Sequence, residues 1–265
     1  MDPFESFKAA QKLAWVTFAP FEAVTTPCAA KLVTRAGVAA GQRVLDVACG
    51  TGVVSVTAAR RGARVTGLDL TPELLERARE NARIAGVEVE WLEGDVERLP
   101  FGDAAFDVVL SEFGHIFAPR PELALGEMLR VLKPGGTIAF STWPPELFIG
   151  RMFMMTVGYL PPPSVEVPPP PLWGDPNVVR QRLGGHVKDI LFDRATMLVP
   201  ALSPAHHLEW AEKHSASTMR VAAALRESDP ARLERFRQEY IALAAEYFAE
   251  NQVRQDFLMT RATKV

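Results

Sequence analysis

Cysteine is scarce in this sequence, where Cys28 and Cys49 are the only two such residues. Two cysteines without metal-ligand spacing argue against a disulfide framework and against a metal site. The opening segment, MDPFESFKAAQ, lacks the basic and apolar regions of a signal peptide. We therefore expect a cytoplasmic protein.

Long apolar runs and runs of like charge are also missing. No stretch reaches the roughly eighteen apolar residues that span a bilayer, so no membrane span is expected. The net charge is −3 and no block of like charges stands out, which argues against a nucleic-acid partner. A chain of 265 residues is long enough for one α/β domain with a small cap.

The most informative segment is VLDVACGTG at residues 44–52, followed by GLDL at residues 67–70. Each apolar strand ends on a carboxylate, Asp46 or Asp69, and the first strand passes through a glycine turn into a helix. This pattern predicts a βαβ unit, and open parallel sheets bind ligands at the ends of their strands. Asp69 lies about twenty residues past the turn, the spacing at which an acid reaches a ribose hydroxyl.

Two nucleoside ligands compete for such a site. A dinucleotide fingerprint requires a third glycine where this chain has Ser55. The carboxylate of Asp46 would repel nearby phosphates, whereas the sulfonium and ammonium groups of S-adenosylmethionine would suit it. The residues therefore favour S-adenosylmethionine over NAD.

Strand and helix alternate between residues 42 and 143, which indicates a parallel sheet flanked by helices. The predicted strands are 43–47, 64–69, 88–92, 106–111 and 136–142, and the predicted helices are 53–61, 72–85 and 121–132. We interpret residues 42–143 as a cofactor-binding core within a single domain, 1–265.

Three further segments surround this core. Residues 1–41 have an aromatic stripe and are predicted to form a helical cap, which packs as core or lines an acceptor pocket. Residues 144–182 hold two proline clusters, 161–163 and 168–171, and are predicted to be an irregular, substrate-facing lid. Residues 183–265 are predicted to add a strand near 186–199, cap helices near 205–226 and 231–250, and a last strand at 256–263.

Three more motifs follow the glycine turn in order: GDVERLPF at 94–101, FDVV at 106–109 and VLKPGG at 131–136. Together with the first two they resemble the class I S-adenosylmethionine-dependent methyltransferases, within them the ubiquinone/menaquinone-biosynthesis methyltransferase-like group. The resemblance implies a Rossmann-like α/β fold. Its seven-stranded sheet would be mostly parallel, with the terminal segment DFLMTRAT as the antiparallel last strand.

The same resemblance implies the residues of a cofactor site at the strand ends. These are Asp46, Ala48, Gly50 and Gly52 for the methionine part, Asp69 for the ribose hydroxyls, Leu70, Asp95 and Val96 for adenine, and Ser111 at the border with the acceptor. An ionised carboxylate only accepts hydrogen bonds, which suits hydroxyl and amino donors. The alternative is that these acids cap helices or lie in an ordinary loop.

Methyl transfer needs a base only if the acceptor must lose a proton. His115, four residues after Ser111, is the first candidate because histidine titrates near neutral pH, and Glu112 is the second. The alternative for His115 is a structural or solvent-facing loop residue. His206, His207 and His214 are expected at the surface of a cap helix.

The predicted function is methyl transfer to a small, hydrophobic or aromatic acceptor, since an apolar lid rich in Met, Phe and Pro suits such a molecule. The segment SEFG at 111–114 lacks the Asn/Asp-Pro-Pro-Tyr signature of amide and nucleobase methyltransferases. One alternative is a protein that binds S-adenosylmethionine without transferring its methyl group, as a scaffold or partner subunit. The exposed cap helices also offer a surface for a homodimer.

Overall fold

Eight strands form one sheet in the computed structural model, which describes residues 3–162 and 165–265. Their order across the sheet is β3-β2-β1-β4-β5-β8-β6. The short strand β7 pairs with the first two residues of β8. The strands are β1 (Arg43–Val47), β2 (Arg64–Asp69), β3 (Glu90–Glu93), β4 (Phe106–Glu112), β5 (Leu132–Thr142), β6 (Val187–Pro200), β7 (Phe248–Ala249) and β8 (Gln252–Lys264).

The first five strands are parallel to one another, and β8 runs antiparallel between β5 and β6. Thr142, the last residue of β5, pairs with Leu258 of β8. The Rossmann-like, mostly parallel sheet with an antiparallel strand is therefore confirmed. The predicted last strand at 256–263 lies inside β8. The two-residue β7 falls within the helix predicted near 231–250, so that prediction is wrong at its carboxyl end, where the helix stops at Ala245.

Ten helices are described around the sheet. They are α1 (Pro3–Trp15), α2 (Glu22–Ala36), α3 (Val53–Ala59), α4 (Pro72–Ala85), α5 (Pro121–Val131), α6 (Phe148–Tyr159), α7 (Pro176–Leu183), α8 (Pro204–His214), α9 (Ala216–Leu225) and α10 (Pro230–Ala245). Among these helices, none is long and apolar enough to cross a membrane.

Two departures from the predicted elements lie in the cap. Helix α6 forms within the segment expected to be irregular, because the prolines lie outside the run FIGRMFMMTVGY and leave its backbone donors intact. Pro163, in the first proline cluster, lies outside the described residues. The helix predicted at 205–226 is two helices, since the backbone is extended at Ser215.

Buried side chains form a sheet core, with one cluster on each face of the sheet, and a cap core. The cap core lies among α6, α8, α9 and α10 and centres on the fully buried Phe148, Phe236 and Tyr240. Ile149 and Phe153 of α6 pack against both cores. This arrangement places the cap over the carboxyl ends of the parallel strands, where a ligand site is expected.

Candidate functional site

A cavity of about 210 Å³ lies where the cap meets the strand ends. Its walls come from the ends of β1, β2 and β4, from α1 and its following turn, and from α6 and β8. Seven of the nine predicted cofactor residues line it: Asp46, Ala48, Gly50, Asp69, Leu70, Asp95 and Val96. Glu112 also lines it, while Gly52, Ser111 and His115 are not among the lining residues.

Asp46 brings a buried carboxyl group to the cavity from the end of β1. Its Oδ2 accepts a hydrogen bond from Ser55 Oγ at 2.6 Å. Its Oδ1 is buried and has no hydrogen-bond partner among the described residues. Burial raises the pKa of this carboxyl group to about 7, with a smaller contribution from the charge of Asp69. An oxygen of this kind favours a ligand that brings a donor or a positive charge.

The turn after β1 uses left-handed backbone at three positions, with φ of 52° at Ala48, 54° at Gly50 and 79° at Gly52. Gly52 has a second constraint, because a Cβ atom there would lie 2.5 Å from the Trp91 ring. Gly52 makes room for Trp91, and Ala48 and Gly50 are the positions of this turn that line the cavity. The predicted ligand contact at Gly52 stays a prediction.

Asp69 holds the turn together from the end of β2. Its Oδ2 accepts from the Gly50 amide and its Oδ1 from the Thr71 amide, both at 2.8 Å. Burial nonetheless raises the pKa of the Asp69 carboxyl group above its ordinary value. Each carboxylate oxygen can accept a second hydrogen bond, so Asp69 can serve the turn and a ligand together.

Asp95 is held by a lysine that the sequence analysis did not single out. The ammonium of Lys8, buried in α1, lies between the carboxylates of Asp95 and Glu97. Burial lowers the pKa of Lys8, but the two carboxylates outweigh it and raise the pKa above its ordinary value. Glu97 also pairs with Arg120. The neighbours of Lys8 at helical spacing include Glu5, Gln11 and Lys12, so no pattern in the sequence distinguishes Lys8.

Glu112 ends β4 and opens on the cavity. Its Oε1 is buried and lacks a hydrogen-bond partner among the described residues. Burial, and then the charge of Asp46, raise the pKa of the Glu112 carboxyl group well above its ordinary value. Three acids with raised pKa values, Asp46, Asp69 and Glu112, thus line one cavity. Shifts of this kind concentrate at functional sites.

His115, the first candidate base, lies elsewhere. It is 1% exposed, and its ring centroid lies 4.8 Å from both the Phe140 and the Trp173 rings. Burial, with the charge of Arg182, lowers the pKa of its ring to about 3. The low pKa of the His115 ring and its position outside the cavity lining both argue against the prediction that His115 is the base.

Ser111 has a structural role. Its hydroxyl donates to the Val47 carbonyl at 2.9 Å and accepts from the His115 amide at 3.2 Å. It thereby joins the ends of β1 and β4 and positions the turn that follows. The structure does not bring its side chain to the cavity, as it does for the neighbouring Glu112.

The histidines of α8 are not all at the surface. His207 is 2% exposed, and its ring lies between Tyr240 and Gln255, at 3.1 Å from the Tyr240 hydroxyl and 3.3 Å from the Gln255 amide nitrogen. Gln255 lines the cavity. Since Gln255 precedes the predicted strand at 256–263, its part in the site became visible only in the fold.

The remaining cavity wall is largely aromatic. Trp15 lies 4.6 Å from Phe117 and Phe18 lies 4.6 Å from Phe21, measured between ring centroids. Part of the stripe predicted in residues 1–41 thus lines the cavity, which was one of its two interpretations. From the predicted lid, the lining side chains are Ile149, Met152 and Phe153. This wall can hold an apolar ring beside the acids of the strand ends.

Comparisons with known proteins agree with this geometry. Residues 44–136 match a family model described as a methyltransferase domain. The uncharacterised protein Rv1405c of Mycobacterium tuberculosis is 36% identical over 244 residues, covering 92% of this chain and 89% of that protein. The demethylmenaquinone methyltransferase of Thermus thermophilus is 44% identical over 108 residues, covering 40% of this chain and 49% of that enzyme.

Solved structures share the fold. The YcgJ protein of Bacillus subtilis has a TM-score of 0.60 at 19% identity, covering 89% of this chain and 97% of that one. A protein of Bacillus halodurans has a TM-score of 0.59 at 21% identity, covering 89% and 98%. Both likenesses extend over the cap as well as the sheet.

Proposed function

Because the chain belongs to the class I S-adenosylmethionine-dependent methyltransferases, we propose that it methylates a small, apolar or aromatic acceptor. The observation that carries this proposal is the single cavity that acidic strand ends and aromatic cap side chains line together. A cofactor at the strand ends and an acceptor against the cap would therefore meet in one enclosed space.

The acids of the cavity fit the cofactor. The buried, unpartnered Oδ1 of Asp46 suits an ammonium group. Ala48 and Gly50 line the cavity, where their backbone would lie close to the bound cofactor. We assign the ribose hydroxyls to Asp69, and the adenine to Leu70, Asp95 and Val96. This assignment uses carboxylates only where the ligand offers donors.

When bound, the cofactor supplies an electrophilic methyl group on a positively charged sulfur. The chain's own contribution is to hold the acceptor in line and to exclude water, and such positioning can lower a barrier by about 7–11 kcal/mol in favourable systems. We propose that Glu112 takes the acceptor's proton. A cation bound beside Asp46 and Glu112 would lower both pKa values and favour the carboxylate that this role needs.

The relatives support a particular kind of acceptor. The match to the demethylmenaquinone methyltransferase covers 40% of this chain and leaves more than half of it outside. It is compatible with a quinone-type acceptor, a flat apolar ring that bears oxygen. The aromatic wall formed by Phe18, Phe21, Phe117 and Phe153 would suit such a ring.

Cofactor binding can be tested by calorimetric titration with S-adenosylhomocysteine. We expect micromolar affinity for the wild type and an affinity at least tenfold weaker for Asp69→Ala, since hydrogen bonds to charged groups contribute about 1.5–3 kcal/mol. Glu88→Gln, which removes an exposed carboxylate, is the matched control and should bind normally. NADH should not bind. A folded wild type that ignores S-adenosylhomocysteine would refute the proposal.

Transfer can be tested with S-adenosylmethionine labelled in its methyl group and a panel of naphthols and hydroquinones. Label should enter the organic phase with the wild type. Glu112→Gln should bind S-adenosylhomocysteine normally yet transfer roughly 100-fold more slowly or worse, the usual contribution of a general base. Binding without transfer to any member of the panel would favour a scaffold or partner subunit.

A further inference from the structure

Gln255 is a buried polar side chain in an apolar part of the cavity. It is 3% exposed and pairs across β8 and β6 with Met197, which also lines the cavity. It lies three residues before Leu258, whose partner Thr142 ends β5. Gln255 therefore lies beyond the carboxyl ends of the parallel strands, on the side of the sheet where the proposed acceptor would bind.

A buried network fixes the orientation of the Gln255 amide. Its Nε2 lies 3.3 Å from His207 Nε2, and His207 Nδ1 lies 3.1 Å from the Tyr240 hydroxyl. Burial, with the charge of His206, lowers the pKa of His207 to about 4, so the ring is neutral at pH 7. A neutral ring has one nitrogen that donates and one that accepts.

The donor and acceptor roles follow from this neutrality. An amide nitrogen only donates, so His207 Nε2 accepts from Gln255, and His207 Nδ1 carries the proton and donates to the Tyr240 oxygen. The side-chain carbonyl of Gln255 then has no hydrogen-bond partner among the described residues. This carbonyl oxygen can therefore accept a hydrogen bond from a ligand in the cavity that Gln255 lines.

The side chains that line the cavity from β6 and α6 offer this carbonyl no donor. They are Met197, Ile149, Met152 and Phe153. A ligand with a hydroxyl group on an apolar frame would supply the donor and match this wall.

We propose that Gln255 is a specificity-determining residue that accepts a hydrogen bond from a hydroxyl group on the methyl acceptor. The acceptor class is then narrower than an apolar ring: it is a hydroxylated one. His207 and Tyr240 are positioning residues, since they hold the amide and do not touch the ligand. This inference rests on the proposed function of the cavity.

The test is equilibrium dialysis of protein saturated with S-adenosylhomocysteine against three probes of similar shape. These are 2-naphthol, which can donate, 2-methoxynaphthalene, which can only accept, and 2-methylnaphthalene, which can do neither. We expect the wild type to bind 2-naphthol about 3- to 10-fold more tightly than the other two, the range for one neutral hydrogen bond. Tighter binding of 2-naphthol than of 2-methoxynaphthalene shows that the protein group in contact with the probe is a hydrogen-bond acceptor, as the Gln255 carbonyl is.

Gln255→Met, which keeps the length of the side chain, should abolish this preference and leave the affinity for 2-methylnaphthalene unchanged. Gln255→Leu is the second variant if Gln255→Met melts at a lower temperature. Tyr240→Phe should reduce the preference without abolishing it, because the amide loses its support. Gln238→Leu, at an exposed glutamine, should leave the preference intact.

The outcomes separate the two proposals. Without S-adenosylhomocysteine binding, the proposed function fails. With normal S-adenosylhomocysteine binding, a naphthol preference that persists in both Gln255 variants overturns the inference about Gln255 alone. Failure of all three probes to bind the loaded wild type likewise overturns it, since the cavity would then not accept a hydroxylated apolar ring.

Discussion

Burial shifts the pKa values of the buried acids and of the buried histidines of this protein in opposite directions. Both shifts can be measured through the pH dependence of the free energy of unfolding. Burial favours the neutral form of Asp46 and Glu112 and raises their pKa values. His115 and His207 are also kept neutral by burial, which lowers theirs. Each shift is a difference in proton affinity between the folded and unfolded chain, and hence a dependence of stability on pH.

Asp46 should stabilise the folded chain at low pH. Its pKa is about 7 in the folded state against an ordinary 3.8, so its contribution is present below pH 4 and is lost as the pH rises to 7. Relative to Asp46→Asn, the free energy of unfolding should fall by as much as ~4 kcal/mol over this window. Urea denaturation at pH 4.5, 6 and 7.5 measures it. A difference that stays constant over these three pH values would contradict the prediction.

His115 should have the opposite effect. Its pKa is about 3 against an ordinary 6.5, so the folded chain loses stability as the pH falls below 6.5. Because His115→Phe lacks the titrating ring, its free energy of unfolding should fall by about 2 kcal/mol less than that of the wild type when the pH is lowered to 5. At pH 7.5 it should bind S-adenosylhomocysteine within twofold of the wild type. A tenfold loss of affinity for S-adenosylhomocysteine at pH 7.5 would instead indicate that His115 contributes to the site.

At the scale of elements, β2 and β3 depend on a glycine that has no ligand role. A Cβ atom at Gly67 would lie 2.5 Å from the Trp91 ring and 2.9 Å from Ser55 Oγ. Gly67→Ala should cost about 1–3 kcal/mol of unfolding free energy, as overpacking does. In a Trp91→Leu background less than half of that cost should remain. Gly126→Ala, in exposed helix with open space, should stabilise instead by about 1 kcal/mol.

Helix α1 is attached to the sheet edge by few polar contacts. Lys8 binds Asp95 and Glu97, and Gln11 donates to the Phe117 carbonyl at 3.2 Å. Lys8→Met leaves Asp95 without its cation, and breaking a buried pair costs about 3–5 kcal/mol. Trypsin should therefore cleave after Lys12 at least tenfold faster, as seen by mass spectrometry. Lys213→Met, at an exposed ion pair, should not change the rate.

The sequence indicated the elements of the core more accurately than those of the cap. Strands β1 and β2 match their predicted bounds, because apolar runs there end on Asp46 and Asp69 or in glycine turns. The cap departs at α6, where proline density suggested irregular chain, and at Ser215, where helical periodicity continued across a break. At α6 the prolines lie outside the helical run, and at Ser215 the backbone is extended, so proline density and periodicity alone misplace these helix ends.

At the scale of the molecule, the sheet core and the cap core are joined through Ile149, Phe153 and the contact between His207 and Gln255. We expect one cooperative unfolding transition. S-adenosylhomocysteine at 100 times its dissociation constant should raise the free energy of unfolding by about 2.7 kcal/mol. Far-UV circular dichroism and tryptophan fluorescence should report the same shift. A cap transition at lower temperature that the ligand does not move would contradict this expectation.

The sequence by itself predicted the sheet, the cofactor class and a set of acids at the strand ends, because a βαβ unit places its strand-end residues by local geometry. Only the tertiary structure decided which polar groups line the cavity. It placed His115 behind the cavity, brought Lys8 to Asp95, and set Gln255 beside His207 across 48 residues of chain. Those positions depend on how the cap packs, and packing arises from contacts between segments that no local pattern records.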